Sequence, residues 1–98
     1  MATSNKNLSA YDKNKIKSGA DLTIGIVVSE WNDEITSKLC EEAVQTLIDN
    51  NVIEANIKIQ KVPGAFELPL GAQFLLKNEK LGGIITIGTV IQGETKHF

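Results

Sequence analysis

The residues with the most obvious chemical uses are concentrated in three short segments of the chain. They are residues 29–32 (Ser-Glu-Trp-Asn), residues 62–67 (Val-Pro-Gly-Ala-Phe-Glu) and residues 88–97 (Gly-Thr-Val-Ile-Gln-Gly-Glu-Thr-Lys-His). The first segment holds the single tryptophan, whose ring can stack on a flat ligand. The third holds the single histidine, which can carry a proton near neutral pH, and a glycine-containing loop that can present N–H groups to an anion.

Each of these residues also has an ordinary structural explanation. Trp31 can plug the end of a sheet, and by itself Phe66 is predicted to be a core residue rather than a ligand contact. Gly64 can serve only to supply a backbone conformation that other residues avoid. Glu94 would repel an anion if its side chain faced the loop interior, and a single loop histidine such as His97 is commonly just solvated. No one segment decides the function.

Hydrophobic patterning predicts three strands and two helices to position these segments. Residues 22–28 are apolar and β-branched, which is typical of a strand covered on both faces, and residues 84–87 have the same character. Residues 56–62 alternate and predict a strand with one partly wet face. Helices are predicted from 33 to about 50 and from about 67 to 78, with Pro69 tolerated in a first turn. The buried face of the second helix is predicted to consist of Leu68, Ala72, Leu75 and Leu76.

The first helix carries an unusually wide apolar surface. Its apolar residues spread over roughly 220° of the helix, more than the usual stripe that faces a core. One side can cover the sheet, and the remainder predicts contact with another helix or another subunit. Cys40 lies within this surface and is predicted to be a core residue. Asn32 or Asp33 is the expected N-cap, and Asn50 with Asn51 is the expected end.

The order strand, helix, strand, helix, strand, with short connections, predicts an α/β fold with a parallel sheet. Right-handed crossovers favour the strand order 2-1-3, as in a three-layer, flavodoxin-like βαβαβ unit. In such sheets ligands bind beyond the carboxyl ends of the strands. All three chemically interesting segments follow strands, and they are therefore expected at one edge of the sheet.

Composition limits the class of protein. The 98 residues have room for one domain, and a net charge of −2 gives no reason to expect nucleic acid or an anionic membrane as partner. No apolar run approaches the roughly 18–20 residues of a membrane span. Residues 1–20 are polar, lysine-containing and without a secretory apolar run, which predicts a flexible arm and a cytoplasmic protein. The sequence contains no arginine and a single cysteine, which excludes a disulfide within these residues.

Taken together, the motifs resemble those of the lumazine synthase family. The matching segments are residues 24–32, 62–69 and 88–98, and the resemblance covers residues 21–98, a part of one domain. It implies an enzyme that condenses 5-amino-6-(D-ribitylamino)uracil with 3,4-dihydroxy-2-butanone 4-phosphate, a step of riboflavin biosynthesis. The products are 6,7-dimethyl-8-ribityllumazine, phosphate and water. No metal and no organic cofactor is implied, and the partners are copies of the same chain in pentamers or icosahedral shells of pentamers.

The resemblance also implies roles for individual residues. His97 corresponds to the proton donor, and the substrate-binding residues are Trp31, Ala65, Phe66, Glu67, Thr89, Val90, Ile91, Glu94 and Thr95. Family members continue beyond the histidine with a fourth strand, further helices and an arginine for the phosphate, so residues 1–98 alone are expected to be inactive. The alternative hypothesis is a flavodoxin-like domain that binds a phosphorylated ligand without catalysing a reaction.

Overall fold

A computed structural model describes residues 10–93 of the chain. Its strands are β1 (Ile24–Ser29), β2 (Ile57–Val62) and β3 (Gly83–Ile87), and its helices are α1 (Asp33–Asp49) and α2 (Leu68–Asn78). Three single 3₁₀ turns accompany them at Lys13–Lys15, Glu54–Asn56 and Ala65–Glu67. No helix among residues 10–93 is long and apolar enough to cross a membrane.

The three strands form a parallel sheet in the order β2-β1-β3. In the register, Ile24 at the start of β1 lies opposite Ile57 of β2 and Gly83 of β3. The α/β class and the strand order 2-1-3 predicted from the sequence are therefore confirmed.

The core lies on both faces of β1, the central strand. Ile26 and Val27 are neighbours in the chain, point to opposite faces and are both 0% exposed. On the first face, α1 packs Cys40, Ala43, Val44 and Leu47 against Ile26, Val28 and Ile87. On the second face, α2 packs Leu68, Ala72 and Leu75 against Val27 and Val62. Helix, sheet and helix thus form three layers around one strand.

Exposure of the outer elements differs from the sequence prediction in two places. Strand β3 was expected to be fully buried, but Thr86 is exposed because β3 has a neighbouring strand on one side only in the described sheet. Leu76 was expected on the buried face of α2, yet it is 58% exposed. Leu75 occupies the inward position, and one residue along a helix turns the side chain by about 100°.

The end of α1 and the start of α2 follow the predicted local chemistry. Asn51, just after α1, has a φ of 74°, the left-handed conformation that asparagine tolerates at a helix end. Pro69 lies in the first turn of α2, where its missing N–H breaks no helical bond. The backbone N–H of Gly19 donates to the Asn50 carbonyl oxygen at 2.8 Å, so the segment before β1 contacts the end of α1.

Gly71 sets how closely α2 approaches the sheet. A Cβ atom at this position would lie 2.7 Å from Val27 Cγ1 and 2.8 Å from Val62 Cγ1. Both valines are buried, and their branched side chains have little rotational freedom to yield.

We therefore expect Gly71→Ala to destabilise the full-length protein. Overpacking of a core costs about 1–3 kcal/mol, and two contacts below 3 Å with buried valines place this site at about 2–3 kcal/mol. The better helix propensity of alanine returns about 1 kcal/mol, which leaves a net loss of about 1–2 kcal/mol. Urea unfolding measures this change. Gly83→Ala is the matched control, because its Cβ would meet only Ile24 Cδ1 at an ordinary 3.7 Å. Equal stability of the Gly71 variant and the wild type would contradict the close approach.

Candidate functional site

The carboxyl ends of the three strands meet at one edge of the sheet. β1 ends at Ser29, β2 at Val62 and β3 at Ile87, and the strands are parallel. The segments that follow them are those singled out in the sequence. The structure brings together residues 29–32, 62–67 and 88–93, as predicted.

Backbone hydrogen bonds hold the first segment against the second. The N–H of Glu30 donates to the Val62 carbonyl oxygen at 2.8 Å, and the N–H of Trp31 donates to the Pro63 carbonyl oxygen at 3.1 Å. These two bonds continue past the end of β1 and fix where the Trp31 backbone lies relative to the Pro-Gly turn.

The second segment is a compact turn closed by its own acid. Glu67 Oε1 accepts a hydrogen bond from the backbone N–H of Gly64 at 2.9 Å, so the carboxylate is held within the turn. Gly64 has a φ of −148°, an extended conformation open to any residue. The structure therefore contradicts the alternative that this glycine supplies a conformation closed to others.

The third segment packs against the second through Gly88. A Cβ atom at Gly88 would lie 2.9 Å from Leu68 Cδ1 and 3.2 Å from Ala65 Cβ. A side chain at this position would push the loop after β3 away from the 3₁₀ turn Ala65–Glu67. The small residue thus lets the two segments approach each other closely.

Large apolar side chains are exposed around this edge. Phe66 is 94% exposed and Trp31 is 52% exposed, and Val90 and Ile91 are exposed on the loop after β3. The prediction that Phe66 is a core residue is wrong, because the 3₁₀ turn directs it outward. Several apolar side chains grouped on a surface are typical of a binding site. The edge is suited to a ligand with a flat, partly apolar ring.

Three of the predicted site residues fall outside the described part of the chain. They are Glu94, Thr95 and His97, the residues assigned to anion binding and proton transfer. Among residues 10–93, no group of three or more His, Cys, Asp or Glu side chains is placed to hold a metal ion.

Comparison with known proteins identifies the family. The family model described as 6,7-dimethyl-8-ribityllumazine synthase matches residues 21–98. The chain belongs to this family. Among similar proteins, the 6,7-dimethyl-8-ribityllumazine synthase of Flavobacterium johnsoniae is 54% identical over 98 residues, that of Flavobacterium psychrophilum 49% and that of Parabacteroides distasonis 46%. These alignments cover 100% of this chain but 52%, 52% and 61% of the relatives, so the chain spans about half the length of the curated relatives it matches.

The lumazine synthase match includes all three segments at the carboxyl edge. It starts at residue 21, just before β1, and runs through Trp31, the Pro63 turn and the loop after β3. The prediction of family membership is confirmed. The match leaves residues 1–20 outside.

Asn32 is a site residue that the sequence reasoning did not assign. It was expected, with Asp33 as the alternative, to cap α1 through its side chain, but it makes no side-chain capping bond. Its Nδ2 atom instead donates to Thr89 Oγ1 at 3.4 Å, which links the first and third segments. In the sequence, the only sign of this role is that an asparagine follows the tryptophan in a strand-to-helix turn. That position does not reveal which residue its side chain bonds.

Ser29 is a second residue at the edge that was not assigned. It ends β1 and is 1% exposed, and its hydroxyl has no hydrogen-bond partner among the described residues. A buried hydroxyl without a partner is uncommon in folded proteins. No chemical role follows from this observation alone.

A separate groove lies between α1 and β2, and none of its lining residues belongs to the three segments. It has a volume of about 440 Å³ and is lined by residues that include Cys40, Glu41, Ile59 and Lys61. Cys40 is half-buried there and packs against the core, in agreement with its predicted place on α1. Burial raises the pKa of the Cys40 thiol above its usual value, the Glu41 carboxylate raises it further, and the Lys61 ammonium group acts in the opposite direction.

We expect Cys40 to react slowly with alkylating reagents at pH 7–8. The thiolate is the reactive form, and a raised pKa means that less of it is present than in an ordinary cysteine. The rate should rise with pH and level off at a higher pH than for a free thiol. Mass spectrometry of the peptide that carries Cys40 measures the rate in the full-length protein. Glu41→Gln should speed the reaction and Lys61→Met should slow it; a Cys40 that outpaces free cysteine would contradict the expectation.

Proposed function

We propose that the full-length protein containing this chain condenses 5-amino-6-(D-ribitylamino)uracil with 3,4-dihydroxy-2-butanone 4-phosphate. The products are 6,7-dimethyl-8-ribityllumazine, phosphate and water. The observation that carries the proposal is the family match over residues 21–98, in a fold that places the matching segments at one sheet edge. The relatives are named 6,7-dimethyl-8-ribityllumazine synthase, after the product of this reaction.

The reaction depends more on holding the two substrates in the correct relative position than on a strong acid or base. The 5-amino group of the uracil attacks the ketone and water leaves, which gives an imine. Elimination of phosphate leaves an enol that tautomerises to a ketone. The ribitylamino nitrogen attacks this ketone, and loss of a second water completes the ring. Holding both molecules in position replaces a bimolecular encounter with a local one, which is a major source of rate enhancement. A rigid edge built from three tethered segments fits this requirement.

The exposed side chains at the edge are assigned to the uracil substrate. Trp31 has half of its surface free, and we assign its ring to stacking on the pyrimidine. Thr89, Val90 and Ile91 lie on the neighbouring loop after β3, and we assign them to the walls of the uracil pocket. The assignment of both elements to one pocket is supported by the hydrogen bond between Thr89 and the turn that carries Trp31.

The remaining roles concern the ribityl chain, the phosphate and the protons. Ala65, Phe66 and Glu67 form the turn assigned to the ring and ribityl contacts. We assign the phosphate to the loop with Glu94 and Thr95, through its backbone N–H groups. His97 is assigned to proton transfer.

The proposal also covers the domain organisation, the cofactor requirement and the cellular location of the protein. Residues 21–98, which the family model matches, form part of a single catalytic domain, and residues 1–20 lie outside the matched region. The reaction proceeds without metal or organic cofactor in the cytoplasm. Membership in this biosynthetic family supports all three assignments.

The test is product formation by the full-length protein. Purified protein is mixed with both substrates in the presence of EDTA, and the lumazine is followed by its absorbance and identified by mass. We expect catalytic turnover that stops when either substrate is omitted. Binding of the phosphorylated ketone without any lumazine would favour the non-catalytic, flavodoxin-like alternative.

The full-length protein is expected to be a homo-oligomer built on pentamers. Ile35, Leu39 and Ile48 are exposed on α1, so part of its wide apolar surface is not covered within the described residues. Burying such a surface between subunits is favourable by about 25 cal/mol per Å². Sedimentation velocity distinguishes a pentamer from a larger shell, and a stable monomer at micromolar concentration would contradict the expectation.

A further inference from the structure

The backbone at Asn32 adopts a conformation that few residues accept. Its φ is 57° and its ψ is 52°, the left-handed region, directly before the first residue of α1. Asparagine, aspartate and glycine adopt this region most readily, whereas other side chains are disfavoured there. The turn after Trp31 therefore depends on the residue type at position 32.

The carbonyl group of Asn32 is bound to the first turn of α1. Its oxygen accepts from the N–H groups of Ile35 and Thr36 at 3.0 Å and 3.1 Å, and from Thr36 Oγ1 at 3.4 Å. Thr36 is itself 1% exposed, and its hydroxyl bond to Asn32 is part-buried. The left-handed turn thus continues directly into the 17-residue helix α1.

The side chain of Asn32 does not cap the helix N-terminus next to it. Its amide Nδ2 donates to Thr89 Oγ1, 57 residues along the chain, and this bond is partly buried. The neighbouring N–H of Trp31 is bound to Pro63 on the opposite side. The turn is therefore tied to the ends of both outer strands, to β2 through backbone and to β3 through the asparagine side chain.

We propose that Asn32 is a positioning residue for the proposed condensation. Its amide holds the Trp31 turn and the Thr89 loop at a fixed separation, so that the ring of Trp31 faces the pocket wall formed by the loop after β3. The inference rests on the proposed function, since it assigns the fixed space between the turn and the loop to the pyrimidine. Asn32 acts through Trp31 and Thr89 and need not touch the reacting atoms.

Four variants of the full-length protein separate this role from a structural one. Asn32→Gly keeps the left-handed backbone and removes the amide. Asn32→Asp keeps the backbone and offers a carboxylate that can accept from the Thr89 hydroxyl. Thr89→Val removes that hydroxyl with little change of shape. The fourth variant combines Asn32→Gly with Thr89→Val.

The first readout is the fluorescence anisotropy of Trp31 in the unliganded protein, with any tryptophan outside residues 1–98 replaced by phenylalanine. We expect lower anisotropy in Asn32→Gly and in Thr89→Val, because the turn gains local motion, and wild-type anisotropy in Asn32→Asp. Unchanged anisotropy in both Asn32→Gly and Thr89→Val would overturn the proposal. If Asn32→Gly does not fold, the anisotropy of Thr89→Val tests the proposal, because this variant removes the acceptor of the same hydrogen bond.

The second readout is steady-state kinetics. Asn32→Gly should lower kcat/KM by about 3- to 10-fold, the size expected for one neutral hydrogen bond, through a higher KM for the ribitylaminouracil. The combined variant should lose no more than the larger single loss, because both changes remove the same interaction. Losses that multiply would overturn the proposal. A wild-type protein that makes no lumazine would refute the proposed function instead, and the anisotropy series would still decide whether Asn32 fixes Trp31.

Discussion

Replacing His97 by alanine in the full-length protein should lower turnover by roughly 10–100-fold, toward or below the small end of the range for a positioned general acid–base. Imine formation, phosphate departure and ring closure all require protons to move near neutral pH, where histidine is the suitable side chain. The loss is limited because much of the acceleration is expected from holding the two substrates together, which survives removal of one side chain.

Assembly, substrate affinity and rescue by imidazole are the controls for the His97 variant. Assembly and affinity for the ribitylaminouracil should stay close to those of the wild type, and added imidazole should restore part of the lost turnover. Full turnover in the variant would remove His97 from the proposed mechanism. A variant that failed to assemble would show that the residue is structural.

Replacing Trp31 by alanine should weaken binding of the ribitylaminouracil by about 0.5–1.5 kcal/mol or more, beyond the loss of buried area. The reason is that a half-exposed indole on a tethered turn offers a flat surface for the pyrimidine. Trp31→Phe should be mild because it keeps an aromatic face. Isothermal calorimetry measures the affinity, and quenching of Trp31 fluorescence on binding reports the contact in the wild-type protein.

Ile53→Ala is the matched control for Trp31. Ile53 is 54% exposed, close to the 52% of Trp31, but it precedes β2 and therefore lies toward the opposite, amino end of the sheet. Its removal should leave affinity unchanged. Unchanged affinity in Trp31→Ala would indicate instead that the tryptophan only covers the end of the sheet.

The fold could be predicted because its determinants are local. A short apolar, β-branched run defines β1, a change to helical periodicity defines α1, and short connections leave a parallel sheet as the simple solution. The shared edge for the three segments then follows from topology. Exposure was harder to predict: Phe66 and Leu76 are apolar residues whose positions in a 3₁₀ turn and beside Leu75 direct them outward.

The details of the candidate site could be predicted only in part. The motifs of the family singled out Trp31 and Thr89 separately, while the bond that links their segments runs from Asn32 over 57 residues. Local propensity predicted a capping role for Asn32, because asparagine is a common N-cap, and tertiary contact with Thr89 overrode it. A side-chain partner so distant in the chain leaves no periodic signal in a single sequence.

The most direct test of the site is a crystal structure of the full-length protein with a non-reactive analogue of 5-amino-6-(D-ribitylamino)uracil. The carboxyl edge around Trp31 is the predicted place for such a ligand, and the groove of about 440 Å³ between α1 and β2 is an alternative among the described residues. We predict that the pyrimidine stacks on Trp31 and lies beside Thr89, with the ribityl chain toward the turn at Glu67. An analogue bound in the groove beside Cys40, with the carboxyl edge empty, would contradict the assignment.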